Sequence, residues 1–239
     1  MHSTDTAKLP RVRLNRYGYN CIARHLFTAL LVSLPLFIGA GTWDYTAGWL
    51  ISSLTLAGWV VLSLVLAVTS PALLNQRGQR ASAMPGTRRW DWIILGLYSL
   101  LLLLTPLLAG LDYRAGQAAA GPLPTVAGVA LLVAHFALLT WSMSANRFFE
   151  ATVRLQNGQQ VVQSGPYRYV RHPGYSAVIL GFLAVPLAAG SLLAGLPALA
   201  GVLVFTVRTA LEDATLRREL PGYAAYAGHT RYRLLPGVW

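Results

Sequence analysis

The chain has 239 residues, of which 55% are hydrophobic and only 11% charged, and its formal net charge is +11. With a mean hydropathy of +0.50 this excludes an ordinary soluble domain and points to a membrane protein.

Residues 1–21 are polar and basic, with no small-residue cleavage site after a short apolar core. The first apolar run is therefore expected to stay as an anchor rather than leave as a signal. Runs at 22–40, 47–68, 92–111, 125–149, 175–190 and 192–211 are each close to the about 20 residues a helix needs to cross the hydrocarbon. The expectation is an all-α, polytopic membrane helical bundle of about six transmembrane helices. Residues 1–150 form its N-terminal membrane region with four helices, and 151–239 form a separate functional unit.

Cys21 is the single cysteine, which allows no internal disulfide and no cysteine metal cluster. Trp43, Asp44, Tyr45 and Trp49, and then Asp112 and Tyr113, read as interface anchors and turn formers. Trp90-Asp91-Trp92 repeats that pattern, with Asp91 placed to cap the third membrane helix. His135 lies inside the fourth run with no acid or second histidine near it in sequence, so it reads as a neutral group bonded to a neighbouring helix. His2, His25 and His229 are scattered. No HExxH, CxxC or paired-carboxylate spacing occurs, and no metal is expected.

The connection NRFFEATVRLQNGQQVVQ (146–163) is amphipathic at its start, turns at Asn157-Gly158 and ends in a short extended Val161-Val162 run. It leads into GPYRYVRHPGY (165–175), the chemically densest stretch of the chain. Each proline lacks an amide proton and restrains the residue before it to extended geometry, which predicts an ordered, partly non-helical loop. A basic and aromatic collar at the lipid headgroups would have the same composition.

The last two apolar runs leave only Ala188-Ala189-Gly190-Ser191 for a turn, so they are expected to form a tight antiparallel hairpin. At about 1.5 Å per residue each arm spans roughly 24–26 Å, and both feet reach the same face. The second foot carries Arg208 and Glu212 on one helix face, followed by Asp213. An i, i+4 ion pair accounts for these charges. The alternative is a pocket shared with Arg171, His172 and Tyr175 at the same height. The tail 212–239 starts as a charged helix, breaks at Pro221-Gly222 and is rich in aromatics, so it is expected to fold back over that face.

Of the nineteen lysines and arginines, all but Arg114 fall before or at the start of the first run, in or at the edge of the second and fourth connections, or at the end of the hairpin and beyond. This asymmetry places both termini in the cytoplasm and requires an even number of crossings. It also explains the positive charge by topology and anionic lipid, without nucleic acid. A pocket of arginines and one carboxylate suits a zwitterionic nucleoside. No GxGxxG or GxxxxGK loop occurs to hold one in a soluble-type fold.

The sequence GPYRYVRHPGY, an apolar hairpin, RTALED and then LPGYAAYAGHTRYRLLPGVW resembles the integral-membrane isoprenylcysteine carboxyl methyltransferases and the wider phospholipid methyltransferase family over about residues 146–239. The resemblance implies S-adenosylmethionine as cofactor. Family cofactor positions fall on Gln159, Gln160, Val161, Val162, Tyr167, His172, Pro173, Gly174, Tyr175 and Glu212, and Arg171 stands with them at the cofactor end. Arg208 falls where the family meets its substrate. Gln159 departs from the histidine of prenylcysteine-methylating relatives, and Asp213 from the second glutamate of an acidic pair.

On this reading Arg208 orients an acceptor carboxylate and Glu212 holds the ribose or amino group of the cofactor. A carboxyl O-methyltransferase is expected ahead of an N-methyltransferase, with a prenylcysteine-like or other lipophilic acceptor arriving from the bilayer. A phospholipid amine N-methyltransferase is the alternative. An NADPH-dependent membrane reductase and a non-catalytic transporter are further ones. The transporter reading is weakened by the lack of mid-membrane charges.

Overall fold

The computed structural model describes residues 12–79, 86–118 and 121–239. His2, named above, and Lys8, Arg11 and Arg80, three of the nineteen basic residues, lie outside them. The described residues are all-helical: α1 (Arg16–Ala40), α2 (Thr46–Thr69), α3 (Pro71–Arg77), α4 (Arg89–Arg114), α5 (Pro122–Ala145), α6 (Pro173–Ala189), α7 (Leu192–Glu219) and α8 (Tyr223–His229). Local sequence explains the boundaries. Asn15 caps α1 by accepting from the amides of Tyr17 and Gly18, and Ser191 caps α7 by accepting from Ala194. Pro71, Pro122 and Pro173 open their helices, where no amide donor is needed. Gly190 turns α6 into α7 at φ 63°.

Five of these helices are long and apolar enough to cross a membrane. α6, expected as a sixth crossing, has 17 residues and falls below that length. Yet its turn into α7 is fastened to the far end of α4. Asp112 Oδ2 accepts from Ser191 Oγ at 2.6 Å and from the Leu193 amide at 3.2 Å. Asp112, expected as a turn former, is thus a buried clamp on the start of α7, where a carboxylate also meets the helix dipole favourably. At the near end of α4, Asp91 meets Arg208 of α7. The α6–α7 hairpin therefore runs the same depth as α4.

The bundle closes where small residues let backbones touch. A Cβ on Gly110 would lie 2.1 Å from the Leu36 carbonyl oxygen, and one on Gly39 would lie 2.3 Å from that of Leu107, so α1 and α4 cross at these glycines. Outward faces are apolar and bare, as at Leu64, Val133 and Leu203, which suits a hydrocarbon solvent. At the end of the bundle remote from Asp91, Phe37, Trp43, Tyr45, Trp49 and Tyr113 gather, with Tyr45 and Tyr113 stacked at 4.1 Å.

One local expectation changes. The fourth run ends as a helix at Ala145, because Asn146 is extended and its side chain accepts from the Phe148 amide. Val161-Val162 lies in a stretch with neither helix nor strand. His135 Nδ1 lies 2.7 Å from the Ala177 carbonyl oxygen of α6, a helix-to-helix bond of the kind expected.

Candidate functional site

The dense loop is built as a 3-10 turn, Gly165–Arg168, that leads into the first turn of α6. Gly165 takes φ +60°, a conformation that favours glycine. The amides of Arg171 and His172 do not face a ligand. They donate to the carbonyls of Tyr232 and Arg233 at 3.0 and 2.9 Å, so the tail lies against the loop as a strap. Ser176 Oγ adds a 2.6 Å bond to the Leu234 carbonyl, and Tyr226 OH one of 2.7 Å to the Tyr167 carbonyl.

One carboxylate ties this cap together. Asp213 is 1% exposed and accepts from Arg171 Nε at 2.7 Å, Arg171 Nη2 at 3.1 Å and Tyr223 OH at 3.0 Å. Arg217 and Arg233 each reach it at 3.1 Å. His172 Nε2 lies 3.5 Å from Asp213 and 3.2 Å from Tyr223 OH. Arg171 Nη1 donates to the Thr230 and Arg231 carbonyls. Asp213 thus joins loop, α7, α8 and strap from outside the cleft wall. Burial, followed by the Asp213 charge, raises the Tyr223 hydroxyl well above the usual phenol range. Burial lifts Tyr226 to about 12 and raises Tyr167 further.

Arg208 and Glu212 do not form the ion pair that their spacing suggests. Arg208, 4% exposed, turns to Asp91 at 2.9 and 3.2 Å and donates to the Ala151 carbonyl at 2.6 Å. Asp91, expected as an interface residue, is fully buried and also accepts from the Val153 amide at 2.7 Å. Sequence reasoning missed it because its partner is 117 residues away. The signal available was a lone acid in the first turn of a membrane helix. Glu212 instead accepts from Tyr175 OH, and the Arg208 guanidinium lies 5.0 Å from the Tyr175 ring centre. The second Glu212 oxygen has no hydrogen-bond partner among the described residues.

A cleft of about 110 Å³ opens between α6, α7, α8 and the 146–162 segment. Gln159, Gln160, Val161, Val162 and Tyr167 line it, as do Arg171, His172, Gly174, Tyr175 and Glu212. Pro173 and Arg208 stand outside the wall, Pro173 opening α6 and Arg208 behind the Tyr175 ring. Phe148, Phe149, Leu155 and Leu216 add apolar wall that sequence reasoning did not single out. Glu150 also lines the cleft, but Arg154 holds it at 2.6 and 2.7 Å. Gln159 and Gln160 use their amide oxygens on the Gln156 amide and on Arg147. Among the described residues no group of three metal-ligating side chains gathers.

Residues 123–220, from the start of α5 to the end of α7, match the family model described as phospholipid methyltransferase. This part, less than half of the chain, is similar to that family. The matched segment supplies the cleft except for Tyr223 and Tyr226 of α8, while α1 to α4 lie outside it. No curated protein matches the chain. The match suggests a methyltransferase of the membrane and leaves donor and acceptor to the chemistry of the cleft.

Proposed function

We propose that the protein transfers a methyl group from S-adenosylmethionine to a lipophilic amine, such as a phospholipid headgroup amine, that enters from the bilayer. Charge balance in the cleft carries this reading. Arg208 is already matched by Asp91, Arg171 by Asp213 and Arg154 by Glu150, which leaves Glu212 as the carboxylate without a cationic partner. An unpaired carboxylate in a partly dry cleft attracts cations, and here the donor's sulfonium and an acceptor ammonium both qualify. The residues suit the donor: apolar and aromatic walls for an adenine, Glu212 for ribose hydroxyls or the amino group, and Gln159 and Gln160 for further hydrogen bonds.

The donor supplies an electrophilic methyl; the protein has to hold the nucleophile in line with it and exclude water. An amine also has to shed a proton before its lone pair can attack, and Glu212 is the carboxylate positioned to receive it. Tyr175 restrains Glu212 through its hydroxyl, and Tyr223 and Tyr226 of α8 complete the cleft wall. A carboxylate acceptor, by contrast, would have to displace Asp91 from Arg208. NADPH would need an unpaired cation for its extra phosphate, and the cleft arginines are committed.

We place both termini and the cleft on the cytoplasmic side, with α6 as a sixth crossing, because by sequence eighteen of the nineteen basic residues fall in the segments assigned to that side. Membranes containing the protein, incubated with methyl-labelled donor, decide the acceptor class. Label in lipid that survives mild alkali as non-volatile product marks an N-methyl group and is expected. Label released as methanol marks a methyl ester and refutes the amine reading.

A further inference from the structure

Asp91 lies on α4, outside the segment that matches the family, and yet it makes the most direct contact with a residue behind the cleft wall. Both of its oxygens are occupied. Oδ1 accepts from Arg208 Nε at 2.9 Å, and Oδ2 accepts from Arg208 Nη2 at 3.2 Å and the Val153 amide at 2.7 Å. Arg208 Nη2 passes a further bond to the Ala151 carbonyl at 2.6 Å. One carboxylate therefore fixes two things at once: the plane of the Arg208 guanidinium and the 151–153 backbone, whose neighbours Glu150, Thr152 and Val153 form cleft wall.

The consequence reaches Glu212 through one ring. The guanidinium held by Asp91 lies 5.0 Å from the centre of the Tyr175 ring, and the Tyr175 hydroxyl donates to Glu212. A bidentate pair allows little rotation of the guanidinium, so the ring it supports and the carboxylate that ring restrains are both fixed. Asp91 also takes the Arg208 guanidinium as its ion-pair partner, so that Arg208 and Glu212, four residues apart, do not pair with each other.

We propose that Asp91 is a positioning residue for methyl transfer, which acts through Arg208 and Tyr175 on Glu212 and makes α4 part of the catalytic unit. The inference rests on the methyltransferase reading above. A purely architectural ion pair would tie α4 to α7 with no effect on turnover beyond that on stability. The geometry argues for more, because the pair is packed against the ring that bonds the cleft carboxylate.

Full-length protein in its expression membranes, as wild type, Asp91→Glu and Asp91→Asn, tests this. Two readouts are compared: the rate at which label from S-adenosylmethionine enters lipid, and calorimetric affinity of the purified proteins for S-adenosylhomocysteine. Asp91→Glu keeps the ion pair but moves it by one methylene, so the fold is retained. Its labelling rate is expected to fall by at least about tenfold at saturating donor, with affinity changed by less than about threefold, as a small misplacement near the chemistry requires. Asp91→Asn, which leaves Arg208 uncompensated, is expected to be slower still. Wild-type labelling rates in folded Asp91→Glu, or losses in both variants that only follow their melting temperatures, overturn the inference alone. A wild-type protein that neither binds S-adenosylhomocysteine nor labels lipid overturns the proposed function and the inference with it.

Discussion

Asp213→Asn is the sharpest probe of the cap. The change keeps the side-chain shape and removes the negative charge that Arg171, 4% exposed, has as its counter-ion. Removing one partner of a buried ion pair costs about 3–5 kcal/mol, because the remaining charge is stranded. The strain falls on the cap, where Arg171 bridges loop and strap, so the strap and not the bundle should open. An opening made easier by that amount raises the open population by roughly 200- to 5,000-fold. Amide exchange of Arg171, His172 and Arg233, whose donors are the strap bonds, should accelerate by this factor. Arg217→Ala is the control: its side chain is 42% exposed, and an exposed pair is worth about 0–1 kcal/mol, so exchange should rise by no more than about fivefold. If Asp213→Asn accelerates exchange no more than the control, or accelerates it equally in α1 and α2, the hub account is wrong.

Alkaline pH should release the same strap. Tyr226 has its folded pKa raised by burial to about 12, above the unfolded value near 10. Its contribution is complete below about pH 10 and disappears as pH rises towards 12; tyrosinate absorbance and strap exchange should change together in that window, and release already near pH 8 would contradict the assignment. In the bundle, Gly110→Ala puts a methyl where 2.1 Å separates it from the Leu36 carbonyl oxygen, so α1 and α4 must part. Overpacking of this kind costs about 1–3 kcal/mol, and a melting temperature equal to wild type would mean that the helices do not cross there.

Much of the molecule can be read from short-range pattern. The apolar runs, the prolines of the dense loop, the four-residue hairpin turn and the aromatic tail each specify structure within a few positions, and the corresponding helices, loop and strap are where that pattern puts them. The pairing of charges is different in kind. Arg208 and Glu212 have ideal i, i+4 spacing, but a buried guanidinium gains more from a bidentate carboxylate than from a single contact along its own helix, and Asp91 offers two oxygens. Tertiary approach over 117 residues decides that competition, and no local signal reports it. Asp213 was visible only as a departure from a familiar acidic pair. Its convergence of Arg171, Arg217, Arg233 and Tyr223 depends on where α8 and the strap return. The short α3 was likewise hidden, since Ser70-Pro71 reads equally as a connection or as a new helix start.

The most direct test of the central claim is calorimetric titration of the purified protein in lipid discs with S-adenosylmethionine, for wild type and Glu212→Gln. Hydrogen bonds to a charged group contribute about 1.5–3 kcal/mol, so the substitution should weaken binding by roughly 10- to 100-fold while wild type binds saturably. Equal affinity in the two proteins, or no binding by wild type, would contradict the account.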